Sequence, residues 1–161
     1  MKITRSAPLP ATVEDAFAII STQEYQQAKV EAQASRASAT VSDHAGSTVV
    51  RSERHVPTAG MPRPVVSMVG DTLSITERQT WHPAREDGTR HGDLALSVAG
   101  VPLKLVGTIV LSPTAGGSSL AIDADLSCSI PIFGKKIEEA ARPAIEESID
   151  HEISQLNARL A

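Results

Sequence analysis

Leu120-Ala121-Ile122-Asp123-Ala124-Asp125-Leu126-Ser127-Cys128-Ser129-Ile130, followed by Pro131-Ile132-Phe133-Gly134, is the stretch whose reading decides the fold. Side chains of an extended chain alternate between two faces. Leu120, Ile122, Ala124, Leu126, Cys128 and Ile130 therefore share one face, and Asp123, Asp125, Ser127 and Ser129 the other. This is a strand of a sheet with one buried and one wetted side. Beyond the Pro-Ile-Phe-Gly joint the period changes. Ile137, Ala141, Ala144 or Ile145, Ile149, Ile153, Leu156 and Leu160 recur every three or four residues, which predicts an amphipathic helix from residue 132 to 160. At 1.5 Å per residue it would run about 43 Å, and only a sheet offers so long an apolar bed. Pro143 lies inside it, removing a hydrogen bond to the Glu139 carbonyl and crowding that turn at a cost of about 3 kcal/mol. The expectation is a kink or break near residues 139–143, with two helical segments.

Upstream, residues 2–6 read as a short strand stopped by Pro8 and Pro10. Thr12, with Asp15 three residues on, marks the start of a helix bearing Val13, Ala16, Phe17 and Ile20 on one face. A second short helix is predicted from Glu24 to about Ala32, with a thin inner face of Tyr25, Ala28 and Ala32. The period then becomes two. Strands are expected over 34–42, 47–57, 72–82, 91–98, 102–112 and 118–130, with a first hairpin turn at Asp43-His44-Ala45-Gly46. Short connections favour antiparallel pairing. The fold class is thus α+β: seven antiparallel strands, two short helices after the first strand, and one long helix at the end, in a single domain over 1–161.

The chain has 161 residues and a formal charge of −4, with no basic footprint for nucleic acid. Aromatic residues make up only 2%, so bases would find no stacking platform and the core is built from aliphatic side chains. A single cysteine excludes an intrachain disulfide and any multi-cysteine metal site. Cys128 shares the face of Leu126 and Ile130 and reads as a buried, inert thiol. No apolar run approaches the roughly 20 residues of a membrane span, and the amino terminus lacks an apolar signal core. A cytoplasmic protein is expected, with peripheral membrane contact and self-association left open. His82 and His91 flank the 83–90 loop as a cross-strand pair without a third ligand, so no metal site is expected. Neither phosphate-binding glycine motifs nor a nucleophile elbow occur, and no cofactor is expected.

The order of elements, together with Val56-Pro57 running into Met61-Pro62, Glu77 to Trp81, Gly100-Val101-Pro102 and Ile130-Pro131-Ile132-Phe133-Gly134-Lys135-Lys136-Ile137-Glu138, resembles the START-like or SRPBCC superfamily. More narrowly, it resembles an actinobacterial family of unknown function within it. The resemblance covers essentially the whole chain. It implies a helix-grip fold, in which a curved sheet wraps a long C-terminal helix and leaves a cavity for hydrophobic ligands. It carries over no catalytic residue.

Polar residues on an apolar strand face are the candidates for chemistry. Leu73, Ile75, Glu77, Gln79 and Trp81 share one face of the 72–82 strand, which aims Glu77 and Gln79 inward. Arg54, on the face of Val50, Ser52 and Val56, is a candidate partner for Glu77. The alternative is that both groups reach water at a bulge or sheet rim. The 56–70 segment is apolar for a connection, with Met61 and Met68 suited to a lipid-like ligand. It reads equally as a short helical turn tucked onto the body. Leu126 on the sheet, Phe133 at the joint, and Ile137, Ala141 and Ile145 on the long helix complete the expected lining.

The leading expectation is a binding protein for a small hydrophobic or amphipathic, lipid-like ligand held between sheet and helix. A cyclase or dehydratase using Glu77 as general acid or base is the second reading. A non-catalytic interaction module using the 56–70 segment is the third.

Overall fold

The computed structural model describes residues 1–161. Its elements are β1 (Lys2–Leu9), α1 (Val13–Ile20), α2 (Gln23–Glu31), β2 (Arg36–His44), β3 (Ser47–Pro57), α3 (Arg63–Val69), β4 (Thr72–Trp81), β5 (Arg90–Val98), β6 (Val101–Thr114), β7 (Gly117–Cys128) and α4 (Gly134–Leu160). The strands form one curved antiparallel sheet in the order β1-β7-β6-β5-β4-β3-β2. Strands β2 to β6 each pair with the next in sequence, and β1 adds at the edge beside β7.

The local signals act as their chemistry dictates. Thr12 accepts from the Asp15 amide at 3.1 Å and caps α1, whose Val13, Ala16, Phe17 and Ile20 are all buried. The β2–β3 hairpin turns on Ala45 and Gly46 alone, at φ of +50° and +85°, the hand that matches the twist of paired strands. On β7, Leu120, Ile122, Ala124 and Leu126 are buried, while Asp123 and Asp125 stay outside and meet Lys2 at 2.9 and 3.4 Å.

Several boundaries differ from the sequence reading. Strand β1 continues through Pro8, paired opposite Ser119, to Leu9. It is an edge strand with no second ladder, so a missing N–H is tolerated. The buried face of α2 is Tyr25, Gln26, Lys29 and Val30, with Lys29 kept inside by an ion pair to Glu152 at 3.0 Å. The 56–70 segment contains the helical turn α3, whose flanks are tied by Thr58 donating to the Gly70 carbonyl at 2.6 Å. Cys128, at the strand end, is half-buried rather than fully enclosed.

The clearest correction concerns α4. It is one continuous helix of 27 residues with Pro143 inside it, not two segments. Both Pro143 and Glu139 are exposed, so the ring projects into water and the freed carbonyl can be hydrated. The helix survives because its opposite face, Ile137, Ile149 and Leu156, is held in the core. It packs on β7, β1 and α1. Over the inner face of β3, β4 and β5 its contacts are sparse, Ser148 reaching Arg54 at 3.5 Å.

Candidate functional site

That sparsely contacted half of the sheet forms the wall of a cavity of about 1060 Å³, lined by 31 residues of which 20 are hydrophobic. The lining is therefore mostly apolar. Ile75 and Leu96 show the consequence on the sheet: they point inward yet are only half-buried, because they face the cavity instead of a packed neighbour. Opposite them, Ile137, Ala141 and Ile145 present α4. Ala140 and Ala144 line the cavity and are also exposed, as are Ala59 and Gly60 across from them. The opening therefore lies between the 59–62 loop and the alanine-rich stretch of α4.

One polar chain crosses this apolar space. Ser52 stands directly opposite Glu77 in the β3–β4 ladder. Its small side chain lets Arg54, two residues on, reach diagonally so that Nη2 donates to Glu77 Oε2 at 2.9 Å. Gln79 Nε2 donates to the other carboxylate oxygen, also at 2.9 Å, and its own Oε1 accepts from Trp81 Nε1 at 3.1 Å. Arg54 Nη1 donates to Gln33 Oε1 at 2.8 Å, and Ser148 of α4 donates to the same oxygen. The relay thus links β4, β3, the end of α2 and the middle of the long helix.

Burial, the largest single influence on Glu77, pushes its pKa up. The charges of Lys29 and Arg54 and the hydrogen bonds from Gln79 and Arg54 outweigh it, so the carboxyl lies below its ordinary value. Glu77 is therefore ionised at neutral pH. With both oxygens engaged and no proton to give, it is unsuited to general acid work.

The sequence-derived candidates divide accordingly. Arg54, Met61, Ile75, Glu77, Gln79, Ile137, Ala141 and Ile145 all line the cavity. Trp81, Leu126, Met68 and Phe133 do not. Trp81 is fully buried behind Gln79, edge-on to Phe17 with centroids 5.6 Å apart. Its ring lies over Gly92, where a Cβ would come within 3.0 Å of it. Leu126 is sealed in the core, while Met68 and Phe133 are exposed to solvent. Parity assigned Trp81 and Leu126 to the inner face, but a face is longer than the cavity upon it. Gln33 and Ser148 went unnoticed from sequence. Ser148 follows Ala141 by seven residues, a helical spacing that places it on the cavity face; Gln33 sits in a turn and carries no periodic signal. The histidine pair has its own explanation, since His82 Nε2 meets Asp93 Oδ2 at 2.7 Å on the surface.

A family model described as "Protein of unknown function (DUF2505)" matches residues 4–160. The chain belongs to the DUF2505 family. An uncharacterized protein of Mycobacterium tuberculosis is 34% identical to it over 80 residues, 48% of this chain and 45% of the relative. The matched stretch thus spans less than half of that relative's length. Among solved structures, the Zhui aromatase/cyclase of a Streptomyces species superposes with a TM-score of 0.66 at 10% identity, covering 99% of this chain and 93% of that one. The STAR-related lipid transfer protein of Xanthomonas axonopodis superposes with a TM-score of 0.64 at 13% identity, covering 99% and 85%. At such identities the likeness is one of fold. This DUF2505 chain has the helix-grip architecture of lipid-transfer and cyclase proteins, in agreement with the resemblance read from its sequence.

Proposed function

We propose that this protein binds a hydrophobic or amphipathic small molecule between its sheet and α4, with an uncharged polar end set against the Arg54–Glu77 relay. The observation that carries this reading is the cavity itself: about 1060 Å³, mainly apolar, and crossed by a single polar chain. A ligand burying about 300 Å² of apolar surface would gain about 7 kcal/mol before the costs of association. The polar end is uncharged because the lining offers no unpaired lysine or arginine. Arg54 is paired with Glu77, Asp150 with Arg5 and Glu152 with Lys29, which leaves Glu147 as the lining carboxylate without an ion pair. An anionic head would find every nearby lysine and arginine already paired.

Binding is favoured over catalysis because Glu77 has no proton to give as an acid, and its lowered pKa and two occupied oxygens make it a weak base. The lipid-transfer and cyclase neighbours supply a fold compatible with either use. The test is native mass spectrometry of gently purified protein, together with displacement of a lipophilic fluorescent dye. A bound apolar molecule, or saturable one-to-one dye binding, is expected. Protein free of ligand that binds no dye would overturn the reading.

A further inference from the structure

Antiparallel topology sorts the connections of the sheet to its two ends. The β3–β4 connection carrying α3, the β5–β6 turn and the β7–α4 joint all fall at one end. The contacts agree: the Ser129 amide donates to the Pro102 carbonyl at 3.2 Å, and a Cβ on Gly100 would lie 3.3 Å from Val69. Of the five large hydrophobic residues left exposed in this molecule, four sit at that end: Val66 and Met68 on α3, and Ile132 and Phe133 at the joint. Ile132 is 91% exposed. It is also held outward. The Phe133 amide donates to the Pro131 carbonyl at 2.8 Å across an Ile132 φ of +71°, a γ-turn of the rare, strained hand. A β-branched residue pays twice in such a position, once in backbone strain and once in exposed apolar surface.

The charges around these residues identify what covers them. Arg63, Lys135 and Lys136 are exposed beside the apolar tips, and Lys104 lies near the start of β6. None of the four forms an ion pair within the protein. The same end carries the exposed carboxylates Asp71 and Glu139, so these four cations leave it with a positive surplus on a chain whose net charge is −4. Apolar tips beside a surplus of free cations complement an anionic lipid bilayer, where the tips enter the acyl boundary and the cations meet headgroups.

We propose that this end of the sheet is a docking face for anionic lipid membranes, with Ile132 and Phe133 as the inserting tip. Docking there brings the 59–62 side of the cavity opening toward the bilayer. The inference is independent of the ligand assignment, since it rests on a different surface.

Co-sedimentation of the full chain with vesicles of phosphatidylcholine, alone or with one-third phosphatidylglycerol, tests it. Binding to the anionic vesicles only, weakened by salt, is expected. Ile132→Ser with Phe133→Ser should lower the partition coefficient by about tenfold or more, and Lys135→Ala with Lys136→Ala by about tenfold. Both variants alter exposed residues and should retain the circular dichroism and dye binding of the parent. Failure of the parent to bind anionic vesicles overturns the proposal, as does unchanged binding by both variants. A concentration-dependent dimer in ultracentrifugation that the Ile132/Phe133 variant dissolves would assign the patch to a second copy instead, and would also overturn it.

Discussion

Arg54 Nη2 lies 2.9 Å from Glu77 Oε2, on the diagonal of the β3–β4 ladder and inside an otherwise apolar wall. A charge pair so placed recovers only part of what its desolvation costs, whereas one charge left alone recovers none. Glu77→Gln should therefore destabilise the fold by about 3 kcal/mol, and Arg54→Met by a similar amount. Replacing both together should cost less than the sum of the two. Urea unfolding of the four proteins in a double-mutant cycle measures the coupling.

The pH dependence has a definite sign. The folded pKa of Glu77 is depressed, so its contribution to stability is present above the unfolded carboxylate range and is lost as pH falls through the folded value. Thermal unfolding between neutral and strongly acidic pH should show a decline that begins in the ordinary carboxylate range and continues below it. In Glu77→Gln that part of the decline should be absent.

Ala141 lines the cavity and is half-buried. Ala141→Leu should project side chain into empty space rather than into packed neighbours, lowering dye affinity by about tenfold while changing stability by less than about 1 kcal/mol. Dye titration beside thermal unfolding distinguishes this outcome from a general loss of structure, in which both would fall.

Matched amphiphiles should separate by charge. With Arg54 already paired and no other lysine or arginine on the lining, dodecanol should displace the dye about tenfold more effectively than dodecanoate at neutral pH. Equal displacement would show that the head group stays outside, in water. Stronger displacement by the acid would overturn the uncharged polar end while leaving the cavity assignment standing.

Pro143 is exposed within an unbroken helix. Pro143→Ala should therefore restore the hydrogen bond to the Glu139 carbonyl without disturbing any packed contact. A stabilisation of about 1–3 kcal/mol in chemical unfolding is expected, since the proline penalty in a helix interior is about 3 kcal/mol before hydration of the freed carbonyl is counted.

Sequence alone determined most of the elements, and the faces of those with a strong period. Alternation on β7, β3 and β4, the Thr12 cap and the three-and-four spacing of α4 are local properties, and each is written in a few adjacent residues. The inward direction of Glu77 and Gln79 followed from parity in the same way, as did the choice of Arg54 as partner. Tertiary structure alone decided where the core ends and the cavity begins. Trp81 and Ile75 share one strand face, yet Trp81 is fully buried and Ile75 borders open space. The difference comes from what lies above them: Phe17 of α1 packs on Trp81, while Ile75 faces the space between the sheet and α4. Gln33 joins the site because the end of α2 meets Arg54 and Ser148, contacts spanning 21 and 115 residues of sequence. Pro143 makes the same point in reverse. Its backbone penalty is local and legible, but continuity of the helix is a sum over its whole buried face. That sum exists only when the sheet is folded beneath it.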